Sequence, residues 1–71
     1  MTKSEIEILV NGEARRIGSS ATLLDLLGQL TLDPRTVVVE LNREIVRRPK
    51  LGETTLVEGD RVELVHFVGG G

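Results

Sequence analysis

The chain has 71 residues, enough for one domain in which folding hides only about 60% of the surface that the unfolded chain exposes. Hydrophobic residues make up 39% and charged residues 28%, with eleven acidic against nine basic side chains and a net charge of −2; this fits an ordered globular domain and excludes a disordered tail or a collagen-like repeat. Cysteine is absent, which removes disulfides, thiolate metal sites and a thiol nucleophile together, and with Phe67 the lone aromatic the core has to be aliphatic.

The acidic balance and the lack of aromatic stacking platforms argue against nucleic acid as a partner, since phosphate neutralisation calls for concentrated positive charge. No run of about 18 uncharged apolar residues occurs, and Met1-Thr2-Lys3-Ser4-Glu5 has no apolar stretch behind it. Neither a membrane span nor a signal peptide is expected, and the expected location is the cytoplasm.

The first segment, Glu5-Ile6-Glu7-Ile8-Leu9-Val10, alternates polar and apolar, as a strand with Ile6, Ile8 and Val10 facing a core would. Asn11-Gly12 suits both central positions of a type I′ turn, so residues 13–17 are expected to return antiparallel as a hairpin. Gly18-Ser19-Ser20 breaks the pattern, and Ser20 or Thr22 can cap a helix with a side-chain oxygen. Leu23, Leu24, Leu26, Leu27 and Leu30 then recur at helical spacing, with Asp25 and Gln29 toward solvent, which predicts a helix over residues 22–30.

Asp33-Pro34 marks a new start, because proline disfavours the αR conformation in the residue before it. Thr36-Val37-Val38-Val39-Glu40-Leu41 is β-branched and reads as the central strand, with Asn42-Arg43 turning into the short apolar pair Ile45-Val46. Residues 47–53 read as a surface loop, with one helical turn expected near Glu53-Thr54-Thr55. Glu58-Gly59-Asp60 forms a tight turn into a last strand over residues 61–68 that points Val62 and Leu64 inward. The order β-β-α-β-(β)-β predicts an α+β fold, a mixed four- to five-stranded sheet with one helix packed across it, the β-grasp arrangement.

The sequence ends Val68-Gly69-Gly70-Gly71. Glycine offers no packing and costs conformational entropy on ordering, so stability does not account for three in a row. They can reach about 10 Å beyond the last packed residue and fit a channel too narrow for side chains. The expected organisation is a domain over residues 1–68 and a flexible tail over residues 69–71. A terminal carboxylate needs activation before acyl chemistry, and no phosphate loop of the G-x-x-x-x-G-K-[ST] type is present, which makes the chain a substrate of an ATP-using enzyme instead of a catalyst.

Val10-Asn11-Gly12-Glu13, Leu23 to Leu27, Val39-Glu40-Leu41-Asn42 with Glu44-Ile45-Val46, Gly59-Asp60-Arg61-Val62-Glu63-Leu64-Val65 and Phe67-Val68-Gly69-Gly70-Gly71 together resemble the ThiS family of sulfur carriers, over nearly the whole chain. The resemblance implies a ubiquitin-like β-grasp whose Gly71, preceded by Gly70, carries sulfur. A ThiF-type enzyme would use ATP to adenylate the Gly71 carboxylate. Sulfur would then replace AMP to leave a thiocarboxylate, a covalent 1-thioglycine at Gly71, for a ThiG-type thiazole synthase of thiamine biosynthesis. No bound cofactor and no metal are expected, and the free carrier is expected to be a monomer. Two departures stand out: the family often has Asn-Gly at Asn42-Arg43, and a larger ring side chain near Leu51.

Glu63, Val65 and Phe67 are expected on the sheet face opposite Val62 and Leu64, joined by Val38 and Glu40, as a docking site for partner enzymes. His66, the single histidine, lacks companions at metal-ligand spacing and reads as a strand residue. Arg15-Arg16 and Arg47-Arg48-Pro49-Lys50 read as solvated surface. Rival readings keep the fold and change the use: a MoaD-like or cysteine-synthesis sulfur carrier, a ubiquitin-like modifier, or a β-grasp binding module whose tail is incidental.

Overall fold

Chain order and side-chain period dictate most of the architecture in the computed structural model, which describes residues 4–66. The expected end of the last strand at Phe67 and Val68, and the expected glycine tail, lie outside the described residues. Strands β1 (Glu5–Val10) and β2 (Glu13–Gly18) form the hairpin, with Val10 opposite Glu13 across a two-residue turn. Asn11 at φ 51° and Gly12 at φ 85° both adopt the left-handed conformation that a type I′ turn requires.

Helix α1 (Leu23–Gln29) starts at Thr22, whose hydroxyl accepts from the Asp25 amide while the Asp25 carboxylate accepts from the Thr22 amide. This reciprocal box satisfies two amides that would otherwise be orphaned at the helix start. Leu23, Leu26 and Leu27 are fully buried, each contributing about 2 kcal/mol of hydrophobic stabilisation. Leu24 departs from the expected stripe: one residue on from Leu23 it turns away from the sheet and stays 44% exposed. The helix closes with Thr31 at φ 58°, its amide donating to the Gly28 carbonyl and the Leu32 amide to the Leu27 carbonyl. That is a Schellman ending, normally given to glycine.

A 3₁₀ turn (Pro34–Thr36) follows, capped by Asp33. Strand β3 (Val37–Leu41) pairs with β4 (Glu44–Val46) across Asn42-Arg43. One helical turn, α2 (Arg48–Leu51), and a loop lead to β5 (Arg61–His66). The five strands form one sheet in the order β2-β1-β5-β3-β4, with β1 and β5 parallel and the other pairs antiparallel. This is the ubiquitin-like β-grasp.

Three expectations need correcting. The central strand is β5, not β3, because β5 inserts between the first hairpin and β3. The helical turn in the connection lies at Arg48–Leu51 and not at Glu53-Thr54-Thr55: Pro49 suits a first helical turn, and the turn swings Leu51 into the core at 2% exposure. The connection is also no mere surface loop. Leu56 is buried, its amide donates to the Ala21 carbonyl, and the Leu23 amide donates to Thr54, so this segment closes the core beside the helix start.

Two side chains register strain or charge in ways that can be measured. Arg43 sits at φ 74°, where a side chain costs about 1–2 kcal/mol and glycine nothing. Arg43→Gly is expected to raise the midpoint of urea unfolding by the equivalent of about 0.5–1 kcal/mol after allowing for the added freedom of the unfolded chain. An unchanged midpoint would show that the turn is relaxed with arginine in place. Arg35 grips the Asp33 carboxylate through both Nε and Nη2 and through its backbone amide, and these hydrogen bonds pull the Asp33 pKa from 3.8 down to about 2. The folded value lies below the unfolded one, so this contribution is complete above pH 3.8 and disappears as pH falls through about 2. In a carboxyl NMR titration, Arg35→Gln should return Asp33 toward its ordinary value, whereas an unshifted titration would remove Arg35 as the cause.

Candidate functional site

The site expected from the sequence lies where β5 leads out of the sheet, so the first question is what holds β5. Along its parallel edge, the Leu9 amide donates to the Asp60 carbonyl and the Asn11 amide to the Val62 carbonyl, both at 2.9 Å. The strand-to-strand register stops at Val10 opposite Val62, because β1 turns away at Asn11. The Asn11 side chain then takes over: its Oδ1 accepts from the Leu64 amide at 2.7 Å, adding one more rung toward the end of β5. Asn11 therefore does more than shape a turn.

At the other end of β5, Asp60 is buried at 7% exposure. Its carboxylate accepts from the Val57 amide at 2.9 Å and from Asn42 Nδ2 at 3.1 Å, while Asn42 Oδ1 accepts from the Arg61 amide at 3.0 Å. The side chain of the β3–β4 turn thus clasps the start of β5. A buried carboxylate is costly unless its oxygens are satisfied, and here both are.

Among the described residues, no helix lies over the sheet face turned away from α1. On it, Val65 of β5 stands opposite Val38 of β3, and Glu63 opposite Glu40. Val65 is 55% exposed and Glu63 exposed, while Val38 and Glu40 are half-buried. Four of the five expected docking residues therefore share one surface, and the fifth, Phe67, lies outside the described residues. Directly opposed glutamates repel each other, so the Glu40–Glu63 pair is a local cost to the sheet. Ile45, which sequence reading left as part of a short apolar pair, lies opposite Glu40 on the same face at 65% exposure. The two-residue Asn42-Arg43 turn carried the signal that could have found it, since a turn of that length fixes the register.

On the helix side, the end of β5 borders a cavity of about 330 Å³ lined by Val10, Ala14, Leu30, Leu32, Leu64 and His66 among others. His66, exposed and the last described residue of β5, forms part of its wall. Among the described residues, no group of three or more His, Cys, Asp or Glu side chains is placed to hold a metal ion, and no helix is long and apolar enough to cross a membrane. Gly69, Gly70 and Gly71, the expected sulfur-bearing end, lie outside the described residues.

Residues 8–71 match the sequence profile of the ThiS family. This chain belongs to the ThiS family. It is 42% identical over 52 residues to the sulfur carrier protein ThiS of Bacillus subtilis, covering 73% of this chain and 79% of that protein. It is 41% identical over 66 residues to a thiazole synthase of Paramagnetospirillum magneticum, a match that takes in 93% of this chain but only 20% of the synthase. The chain thus spans about a fifth of that relative's length. Its backbone superposes on the crystal structure of the thiamine biosynthesis protein ThiS from Geobacter metallireducens with a TM-score of 0.79 at 35% identity, covering 93% of this chain and 100% of that one.

The Asn11 rung can be tested apart from the turn it sits in. Asn11→Gly keeps a residue at ease with positive φ and removes only the acceptor. Hydrogen exchange at the Leu64 amide is expected to quicken by about five- to ten-fold, the equivalent of a hydrogen bond of about 1 kcal/mol. The Asn42 amide, held by Arg61, should keep its rate. Equal protection of Leu64 in the variant would refute a role for the Asn11 side chain.

Proposed function

We propose that this chain is a sulfur carrier protein of thiamine biosynthesis and that its Gly71 carboxyl group carries the sulfur. The observation that supports this most is the family match running to residue 71, in a chain whose central strand leads toward Gly69-Gly70-Gly71. In the proposed cycle the Gly71 carboxylate attacks the α-phosphate of ATP in a ThiF-type enzyme, forming the acyl-adenylate and releasing pyrophosphate. A sulfur donor then attacks the activated carbonyl and AMP leaves with the C–O bond. With a persulfide donor, a second thiol then attacks the S–S bond of the acyl disulfide, the donor leaves as a mixed disulfide with that thiol, and the thiocarboxylate, the 1-thioglycine form of Gly71, is released. The chain acts as co-substrate throughout, and nothing in the cycle asks it for a general base or a metal.

A ThiG-type thiazole synthase is the proposed sulfur acceptor. Supporting this, a stretch similar to this chain occurs within proteins named thiazole synthase, from Paramagnetospirillum magneticum and Magnetococcus marinus. The uncovered sheet face is the proposed docking surface for the activating enzyme, through Val65, Val38, Glu63, Glu40 and Phe67, with Ile45 added. Apolar side chains left in water on one face, beside the strand that leads to the tail, are what an enzyme would cover while it draws the tail into its own site. The free carrier is proposed to be monomeric and to work in the cytoplasm.

Incubation with ATP, a ThiF-type enzyme and a sulfur donor, followed by intact-mass measurement, is expected to show the gain from exchanging one oxygen for one sulfur. The gain should be absent when Gly71 is deleted. Val65→Asp should fold normally and yet raise the KM of adenylation by about ten-fold or more, the loss of an interface contact worth over 1 kcal/mol. Sulfur transfer that survives deletion of Gly71 would overturn the carrier assignment, and an unchanged KM in Val65→Asp would overturn only the docking face.

A further inference from the structure

At its far edge the sheet is incomplete. β4 pairs with β3 only from Leu41 to Val39, because β4 ends at Val46. Continued by two steps, the register would place Arg47 opposite Val38 and Arg48 opposite Val37, but the chain has already turned into α2, and no backbone hydrogen bond joins Val37 to Arg48. Val37 pairs with His66 and Val38 with Val65 through the other edge, so on the β4 side two residues of β3 have no strand beside them among the described residues. The gap is a cleft of about 180 Å³. Its apolar lining includes Val37, Val38, Ile45 and Leu51, and its rim carries Arg47 and Arg48.

The two arginines decide what the cleft suits. Among the described residues the ion pairs are Arg16 with Glu5, Arg35 with Asp33 and Lys50 with Glu53, which leaves Arg47 and Arg48 without a carboxylate partner. Asp33 is the acidic group near enough to feel Arg48, and its oxygens are already taken by Arg35. Guanidinium groups bind carboxylates through parallel hydrogen bonds, and a strand edge binds extended backbone. An apolar floor, an open rung and two free guanidinium groups therefore call for one kind of ligand.

We infer that this edge of the sheet, which shares Val38 and Ile45 with the uncovered face, is a second docking site that takes a short extended peptide segment of a partner protein with a branched aliphatic residue beside one or more carboxylates. The peptide backbone completes the missing rung at Val37. Its aliphatic side chain fills the cleft, and its carboxylates pair with Arg47 and Arg48.

A random short-peptide library displayed on phage and selected against the full chain tests this without reference to sulfur transfer. Selected peptides are expected to share a branched aliphatic residue next to Asp or Glu. The synthetic consensus peptide should slow hydrogen exchange at the Val37 amide, and R47E/R48E should weaken its binding by about ten-fold or more. The milder R47Q/R48Q should weaken it less, which guards against a charge-reversed variant that folds poorly. Arg16→Glu, on β2 at the opposite edge of the sheet, should leave binding unchanged. Failure to select any binder, a consensus without acidic residues, or binding indifferent to both arginine variants would overturn the proposal.

Discussion

The placement of β5 between β1 and β3 is the constraint on which the rest of the molecule depends. A parallel neighbour cannot be reached by a hairpin, so the chain must cross over, and that crossover supplies the helix that covers one face of the sheet. The result is a last strand held on both edges, in the middle of the sheet instead of at a frayed border. An edge strand would be the most easily opened part of so small a domain, whereas a central one opens only with the whole.

The parallel pairing is nonetheless short, because β1 ends at Val10 while β5 continues to His66. Side chains make up the difference. Asn11 extends the ladder to Leu64, and Asn42 with Asp60 fixes the opposite end of the strand. Both asparagines also occupy left-handed positions in two-residue turns. Asparagine is the residue that reconciles these demands, since it tolerates positive φ and carries both a donor and an acceptor. Glycine would relax the turn and lose the tie; alanine would lose both.

Local chemistry made much of this legible in advance. The period of two in Glu5-Ile6-Glu7-Ile8, the Asn-Gly turn and the leucine spacing each act within a few residues, and they gave the hairpin, the helix and the inward residues of β5. What escaped was tertiary. The Asn11 acceptor meets an amide 53 positions away, so no window along the chain contains it. The β-branched run Val37-Val38-Val39 read as the central strand, but β5, from far along the chain, inserts between it and the first hairpin. Leu51 and Leu56 sat among polar neighbours with no period to mark them, and only the crossover brings them under the helix start.

The single helix also explains why the other face of the sheet remains apolar in patches. Among the described residues α1 covers one side, and no second layer lies over the other. Charge must then keep the bare face soluble, and it does so at a cost: Glu40 and Glu63 stand opposite each other across neighbouring strands where alternating signs would have been more stable. A pair of like charges flanked by Val38, Val65 and Ile45 discourages a second copy of the same face from stacking on it, because four carboxylates would then share a drying interface. A partner that brings a cation meets no such penalty. At the proposed docking face the same two residues would oppose self-association and suit a basic apolar surface, so the instability they introduce into the sheet would serve selectivity between partners.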